Sequence, residues 1–183
     1  GKLFREYIAG RRKTYYKPVA FFIMLTAIYI IVRSLINYDS FAGNPPPTNV
    51  PENRRIFSEA AFFMVRNINN ILFFLVLSIG LIQKLFFLKR YRLIEYISVG
   101  FYISGLYILV GLLIAIISTY IIQINPQINL LILLILMIYS FYSLHLQKNL
   151  LSIIKYTLGA IFSLVCYIVM GYSFSLLIVY LKQ

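Results

Sequence analysis

The fold of this chain is decided by residues 1–38, GKLFREYIAGRRKTYYKPVAFFIMLTAIYIIVRSLINY. A basic and aromatic segment, residues 1–17, runs directly into an apolar segment that opens at Pro18. Proline suits the first turn of a helix, where a backbone N–H would have no helical partner. The apolar segment, residues 18–36, is close to the ~20 residues that cross a bilayer. It therefore predicts a first membrane span with a cationic flank.

The composition of the whole chain points to a membrane protein. Of its 183 residues, 61% are hydrophobic and 12% are charged, whereas soluble domains carry about a quarter charged residues. Four further apolar runs approach or exceed span length. They are residues 71–88, 97–122, 128–146 and 151–181. The chain is therefore predicted to be a single all-α membrane domain, residues 1–183, with about five transmembrane helices.

Residues 1–17 are predicted to form a basic amphipathic helix in the headgroup region. The bulky apolar side chains of Leu3, Phe4, Tyr7 and Ile8 share one side at helical spacing. Cations occupy most of the remaining surface, which is typical of helices that lie in a membrane interface. A disordered basic tail is the alternative.

Residues 37–55 form the longest polar stretch, and three consecutive prolines at 45–47 predict a stiff, extended outer loop. Helical apolar spacing returns from Ile56 to Val65, which predicts a second interfacial helix or an extension of the next span. The last apolar run, residues 151–181, would be about 45 Å long as a helix. A tilt, a kink near Gly171 or a partly interfacial position is expected for it.

Lysine and arginine are distributed unevenly between the two ends of the predicted spans. Most of them lie in residues 1–17, around residues 84–92 and around residues 148–155. The positive-inside rule predicts a cytoplasmic N-terminus and a periplasmic C-terminus in a bacterial inner membrane. The net charge of +12 is therefore assigned to topology and to anionic lipid, and no nucleic-acid partner is predicted.

Side chains that carry catalysis are scarce in this sequence. It contains one histidine, one cysteine and five acidic residues, without a metal-ligand cluster, a phosphate-binding loop or a nucleophile motif. No catalytic residue, metal site or cofactor is predicted. His145 is predicted to be an interfacial residue without a role. Glu95 is predicted to pair with a neighbouring cation, and cation binding or proton relay is the alternative.

A cationic surface on the cytoplasmic side is the predicted contact for lipid headgroups or for a partner protein. Its residues share a position beside the inner ends of the predicted spans. They are Arg5, Arg11, Arg12, Lys13, Lys17, Lys89, Arg90, Arg92 and Glu95.

Small residues recur at helical spacing on the third and fifth predicted spans. Such residues let helix backbones approach closely where lipid provides no hydrophobic drive for association. These two spans are therefore predicted to pack against each other, and a contact with another chain is the alternative. The predicted packing positions are Gly100, Ser104, Gly111, Ala115, Gly159 and Ser163.

Two stretches carry a family resemblance, residues 1–22, GKLFREYIAGRRKTYYKPVAFF, and residues 83–104, QKLFFLKRYRLIEYISVGFYIS. They resemble the signature of a family of Bacteroidota integral membrane proteins known as domain of unknown function 3667. The resemblance places Glu95 at the family's acidic position. The histidines that follow in the family fall here on Tyr96, Tyr102 and Ser104, so no metal or proton role is expected from them.

The same resemblance leaves the beginning of the chain open. Members of the family often carry a zinc ribbon ahead of the opening segment, and this sequence starts at Gly1 without methionine. A longer N-terminal portion is therefore one expectation. The function of the family is unassigned, so the resemblance implies no mechanism.

The predicted function is that of a non-enzymatic scaffold or accessory subunit, with other membrane proteins and anionic lipids as partners. The first alternative is a transporter of a small molecule or lipid. Its path would be lined by Arg33, Asn67, Asn69, Asn70 and Glu95. The third choice is a lipid-modifying enzyme, for which Arg92, Glu95 and His145 would have to meet on the cytoplasmic side.

Overall fold

The structure, a computed structural model, describes residues 6–8, 16–37, 51–67, 71–88, 90–122, 124–125, 127–145 and 149–182. Every regular element within these ranges is an α-helix. The six helices with both ends described are α1 Pro18–Leu35, α2 Glu52–Arg66, α3 Leu72–Phe86, α4 Leu93–Tyr120, α5 Gln127–His145 and α6 Leu150–Leu181. Residues 6–8 are also helical.

Four of these helices, α1, α4, α5 and α6, are long and apolar enough to cross a membrane. This finding indicates a multi-pass membrane protein. Helix α3 is apolar but has 15 residues, about 22 Å of helix, which is less than a hydrocarbon core of about 30 Å. A fifth span therefore stays a prediction.

Helix α3 lies between α4 and α6 and packs against both. Its buried positions, which include Leu72, Val76, Ile79 and Gln83, lie on one side of the helix. Phe73, Leu81 and Leu85 are exposed on the other side. Helix α3 therefore has one side against protein and one open side.

Neighbouring helices run in alternate directions around α3. Phe74 and Phe86, at the two ends of α3, contact Phe174 and Phe162 of α6 at 5.3 and 5.9 Å between ring centroids, so these helices are antiparallel. Helix α3 is also antiparallel to α4, while α1 and α4 are parallel. Helices α3 and α5 end, and helices α1, α4 and α6 begin, at the same end of the bundle. We call it the basic end, because Lys17 and the cationic α3–α4 connector lie there.

Helix α2 begins at Glu52, inside the stretch 37–55 that was predicted to be an extended loop. Pro51 adopts φ −52° and ψ 143° just before the helix, which suits a proline in front of a first turn. Arg55 and Glu59 then form an i,i+4 ion pair at 2.8 Å. The predicted start at Ile56 was therefore too late by one helical turn. Residues 38–50 lie outside the described ranges.

The small residues of α4 and α6 do permit close approach, but the predicted partner was wrong. A Cβ at Gly100 would lie 3.1 Å from the carbonyl oxygen of Val76, and a Cβ at Gly159 would lie 2.7 Å from Nε2 of Gln83. Both neighbours belong to α3, which receives the two stripes that were expected to face each other. Gly111 has no atom within 4 Å of a Cβ. The other predicted packing positions, Ser104, Ala115 and Ser163, are buried.

Only part of the predicted N-terminal amphipathic helix falls within the described ranges. Tyr7 and Ile8 lie in a helical turn and pack, half-buried, against the core of the bundle. They are two of the four side chains expected on its apolar side. A helix over the whole of residues 1–17 stays a prediction.

Candidate functional site

The connector between α3 and α4 is fixed by hydrogen bonds from cationic side chains. Nζ of Lys84 donates to the carbonyl oxygens of Leu88 and Tyr91 at 2.6 and 2.9 Å. Nη2 of Arg90 donates to the carbonyl oxygen of His145, the last residue of α5, at 2.6 Å. Carbonyls at helix ends lack a helical N–H partner, and a cation there also interacts favourably with the helix dipole. The connector therefore ties the end of α3 to the end of α5.

The carboxylate of Glu95 caps the start of α4. It accepts a hydrogen bond from the backbone N–H of Arg92 at 2.7 Å, which is one half of a capping box. This cap explains why α4 begins at Leu93, four residues before the predicted span. Glu95 was predicted to pair with Lys89, Arg90 or Arg92. Among the described residues its carboxylate bonds to the backbone of Arg92, while Lys89 lies outside them, so the ion pair stays a prediction.

The imidazole ring of His145 is enclosed by aromatic rings. The rings of Phe87 and Tyr156 stack on it with centroids at 4.2 and 5.3 Å and interplanar angles of 28° and 7°. The rings of Tyr91 and Tyr96 follow at 5.8 and 6.2 Å. The side chain has no solvent-exposed area. Rings from α4, α6 and the α3–α4 connector therefore shield His145 from solvent. Its interfacial position at the end of α5 stays a prediction.

Three buried side chains at the basic end carry polar atoms without a hydrogen-bond partner. These atoms are both amide atoms of Gln83, both ring nitrogens of His145 and the hydroxyl of Tyr156. Gln83 lies one turn before Phe87 on α3, and Gly159 lies one turn after Tyr156 on α6. The amide of Gln83 therefore lies next to the aromatic stack, on its side away from the basic end. It fits there because Gly159 has no side chain.

Tyr102 of α4 anchors the N-terminal segment to the bundle. Its hydroxyl donates a short hydrogen bond to the carbonyl oxygen of Tyr16. Its ring contacts the ring of Tyr7 edge-to-face at 5.7 Å and that of Phe21 at the same centroid distance. Aromatic pairs of this kind are worth about 0.5–1.5 kcal/mol beyond their buried area. Residues 6–8 are thus held by protein contacts.

Replacing Tyr102 with phenylalanine is expected to loosen this segment without unfolding the bundle. The substitution keeps the ring contacts and removes the hydrogen bond to Tyr16, worth about 0.5–1.5 kcal/mol. Amide hydrogen exchange should accelerate in peptides that contain Tyr7 and Ile8. Tyr120→Phe is the control, since that side chain is 71% exposed. Unchanged exchange in the Tyr102 variant would show that the hydroxyl contributes nothing to the anchoring.

The structure places the described members of the predicted cationic surface at the basic end. Lys17, Arg90 and Arg92 are exposed, and Glu95 is half-buried beside them on the connector side. Arg90 and Arg92 flank Tyr91 and share one fixed connector. The remaining predicted members lie outside the described ranges. They are Arg5, Arg11, Arg12, Lys13 and Lys89.

The described residues predicted for a transport path are not all brought together. Arg33 lies in the last turn of α1, Asn67 caps the C-terminus of α2 and Glu95 lies in the first turn of α4. Asn69 and Asn70 lie outside the described ranges. Arg33 and Glu95 therefore occupy opposite ends of the bundle.

Of the residues predicted for a lipid-modifying enzyme, Arg92 and Glu95 lie together, but the side chain of His145 is enclosed apart from them. His145 is buried inside its aromatic enclosure, whereas Arg92 is exposed and Glu95 is bonded to the Arg92 backbone. Within the part of the chain that the structure describes, no group of three or more His, Cys, Asp and Glu side chains is placed to hold a metal ion.

Comparison with known proteins gives one partial match. The model of the family described as "Protein of unknown function (DUF3667)" matches residues 1–30, which cover the basic segment and most of α1. The match supports the family resemblance for the opening stretch, while residues 83–104 lie outside it. Neither the curated proteins nor the solved structures give a match.

Gln83 and Tyr156 were missed by sequence reasoning. Gln83 carried a usable signal, because it is the one amide side chain within the apolar run 71–88, and a lone amide in such a run needs a hydrogen-bond partner. Tyr156 carried no signal that separates it from the other tyrosines, of which the chain has 16 in all. Its importance arises only from the stack on His145.

Proposed function

We propose that this chain is a non-enzymatic subunit of the bacterial inner membrane that serves as a scaffold or accessory component of a larger complex. In this proposal it has five spans, a cytoplasmic basic end and a periplasmic C-terminus. Its partners are other membrane subunits and anionic lipid headgroups on the cytoplasmic side. No catalytic step is assigned to it.

The alternating helix directions support the topology. If α3 counts as a span, the five apolar helices cross in alternate directions, and the N-terminus of α1 lies at the same end as the Arg90–Arg92 connector. The positive-inside rule then favours a cytoplasmic position for that end.

The fixed connector is the observation that carries the functional proposal. Lys84 and Arg90 bond to backbone carbonyls, so the backbone around Arg92 is held while the Arg92 side chain remains exposed. A surface that is ordered before binding loses less conformational entropy when a partner or a headgroup binds. Exposed arginine on such a surface suits carboxylates and phosphates.

Reversing the charge at Arg92 is expected to remove partner recovery and leave the fold intact. A tagged chain purified gently from native membranes should bring a membrane subunit in a fixed ratio together with anionic phospholipid. Arg92→Glu should lower both several-fold, because an exposed cation becomes an anion at the contact. Quantitative mass spectrometry of the purified material measures both changes.

Lys182→Glu is the matched control, since it makes the same charge change at the C-terminal end of α6, away from the basic end. It removes only a cation–π contact with Phe63, 5.7 Å from the ring centroid, so recovery should stay at the wild-type level. A monodisperse chain without a co-purifying subunit would contradict the proposal. So would equal losses for the two variants.

Transport of a small molecule or a lipid is the second candidate function. One observation favours it, namely the polar atoms of Gln83, His145 and Tyr156 inside an otherwise apolar bundle. Transport requires flux through the isolated chain, whereas a scaffold requires none. Phospholipid scrambling in proteoliposomes that contain this protein alone separates the two candidates.

A further inference from the structure

We propose that the basic end encloses an internal hydration site, in which Gln83 of α3, His145 of α5 and Tyr156 of α6 bind water molecules. The ligand is water, and the site is the polar layer around the aromatic stack. The inference is independent of the proposed scaffold function. It concerns only the interior of the bundle.

The first argument is the concentration of unpartnered polar atoms at one place. Across the described residues, seven buried side-chain nitrogen and oxygen atoms lack a hydrogen-bond partner, and five of the seven belong to Gln83, His145 and Tyr156. The other two are on Ser104 and Asn129. Such groups are rarely left unsatisfied in folded proteins. Five together indicate a shared partner.

The second argument is the geometry of the three side chains. The rings of Phe87 and Tyr156 cover the imidazole of His145, with centroids 4.2 and 5.3 Å from it and 5.7 Å from each other, so the edge that carries its nitrogens is the part left for hydrogen bonds. Gln83 lies one helical turn before Phe87, and its amide meets Gly159, one turn after Tyr156. The polar groups of Gln83 and Tyr156 therefore lie in adjacent layers of the contact between α3 and α6. His145 of α5 packs beside them.

The third argument concerns the ligand. An amide and a phenol each donate and accept, and a neutral imidazole has one donor and one acceptor. Water can satisfy both kinds of group, and a buried water typically makes about three hydrogen bonds to such atoms. An anion would also face acceptor atoms, and a metal ion would find one imidazole without further ligands of its kind. Water fits this mixed, uncharged set best.

The fourth argument concerns access. His145 is the last residue of α5, and Arg90, which donates to its carbonyl oxygen, is exposed. The site therefore lies close to the exposed surface of the basic end. One and two turns earlier on α5, Phe141 and Met137 are equally buried but apolar. These two apolar side chains thus mark the inner limit of the site along α5.

Hydroxyl-radical labelling by short X-ray pulses tests the proposal on the wild-type protein in detergent. The radicals form from water where it resides, so side chains beside bound water are modified even when they are buried. Corrected for intrinsic reactivity, Tyr156 and His145 should be labelled several-fold faster than Met137 and Phe141. Gln83→Leu should reduce the labelling of Tyr156, because it removes two of the groups that hold the water.

The comparison of Tyr156 and His145 with Met137 and Phe141 of α5 makes the outcome decisive. Labelling of Tyr156 and His145 no faster than that of Met137 and Phe141 would mean a dry interior and would overturn the proposal. Equal, fast labelling of all four would indicate general opening of the bundle and would overturn it as well. The wild-type measurement decides both cases, so the result does not depend on whether Gln83→Leu folds. Loss of partner binding in the Arg92→Glu variant concerns the scaffold proposal and would leave the hydration proposal unaffected.

Discussion

Leucine in place of Gly100 is expected to force α3 and α4 apart and to lower the free energy of unfolding by about 1–3 kcal/mol. A Cβ at this position would lie 3.1 Å from the carbonyl oxygen of Val76 and 3.2 Å from its Cα. Both are backbone atoms, so no rotation of a side chain relieves the contact. Because α3 also packs against α6, its displacement would disturb that contact too.

Gly111→Leu on the same helix is the matched control, since no atom lies within 4 Å of a Cβ there. It should be neutral or slightly stabilising, because glycine in a helix interior costs about 1 kcal/mol relative to a good helix former. Denaturant titration of both purified variants in one detergent gives the comparison. Similar losses for the two would contradict the close α3–α4 contact.

The long apolar helices could be located from the sequence within a few residues. Pro18 marks the start of α1 in both the prediction and the structure. The end of α1 is also explained locally, because Asn37 follows it with a φ of 49°, a left-handed conformation that asparagine tolerates at helix C-termini. Such signals depend on neighbouring residues only, so one sequence carries them.

The position of α3 between α4 and α6 could not be predicted in the same way. A helix that is apolar on every side carries no stripe that distinguishes a protein-facing side from a lipid-facing one. Gly100 and Gly159 were identified as positions of close approach, but a glycine does not indicate which helix approaches it. The pairing depends on all the helices at once, and for that reason the prediction that the small residues of α4 and α6 face each other was wrong at Gly100 and Gly159.

The candidate site could likewise be predicted only in part. The cations of the connector were visible in the sequence, whereas the acceptor of Arg90 is the backbone carbonyl of His145, and every residue has such a carbonyl. The enclosure of His145 combines rings from positions as distant as 87 and 156. Burial of that kind is a property of the assembled bundle, so it has no counterpart in the sequence around residue 145.

Replacing Tyr156 with alanine is expected to produce the largest loss among single changes at the basic end, about 3–5 kcal/mol. The side chain has no exposed area and stacks on His145 at 5.3 Å, with the ring of Phe87 at 5.7 Å. Its removal leaves a cavity that rigid neighbouring helices cannot close. Tyr139→Ala on α5 is the control, since that side chain is 62% exposed and should change stability little.

Tyr156→Phe separates the ring from its hydroxyl, and the sign of its effect is informative. If the hydroxyl has no partner in solution, its removal relieves an unsatisfied polar group and should stabilise the protein by about 1–3 kcal/mol. If water is bound there, the same change removes a satisfied hydrogen bond and should destabilise the protein by about 0.5–1.5 kcal/mol. We expect destabilisation. A stabilised variant would contradict hydration at Tyr156 and leave the aromatic stack as the sole role of that ring.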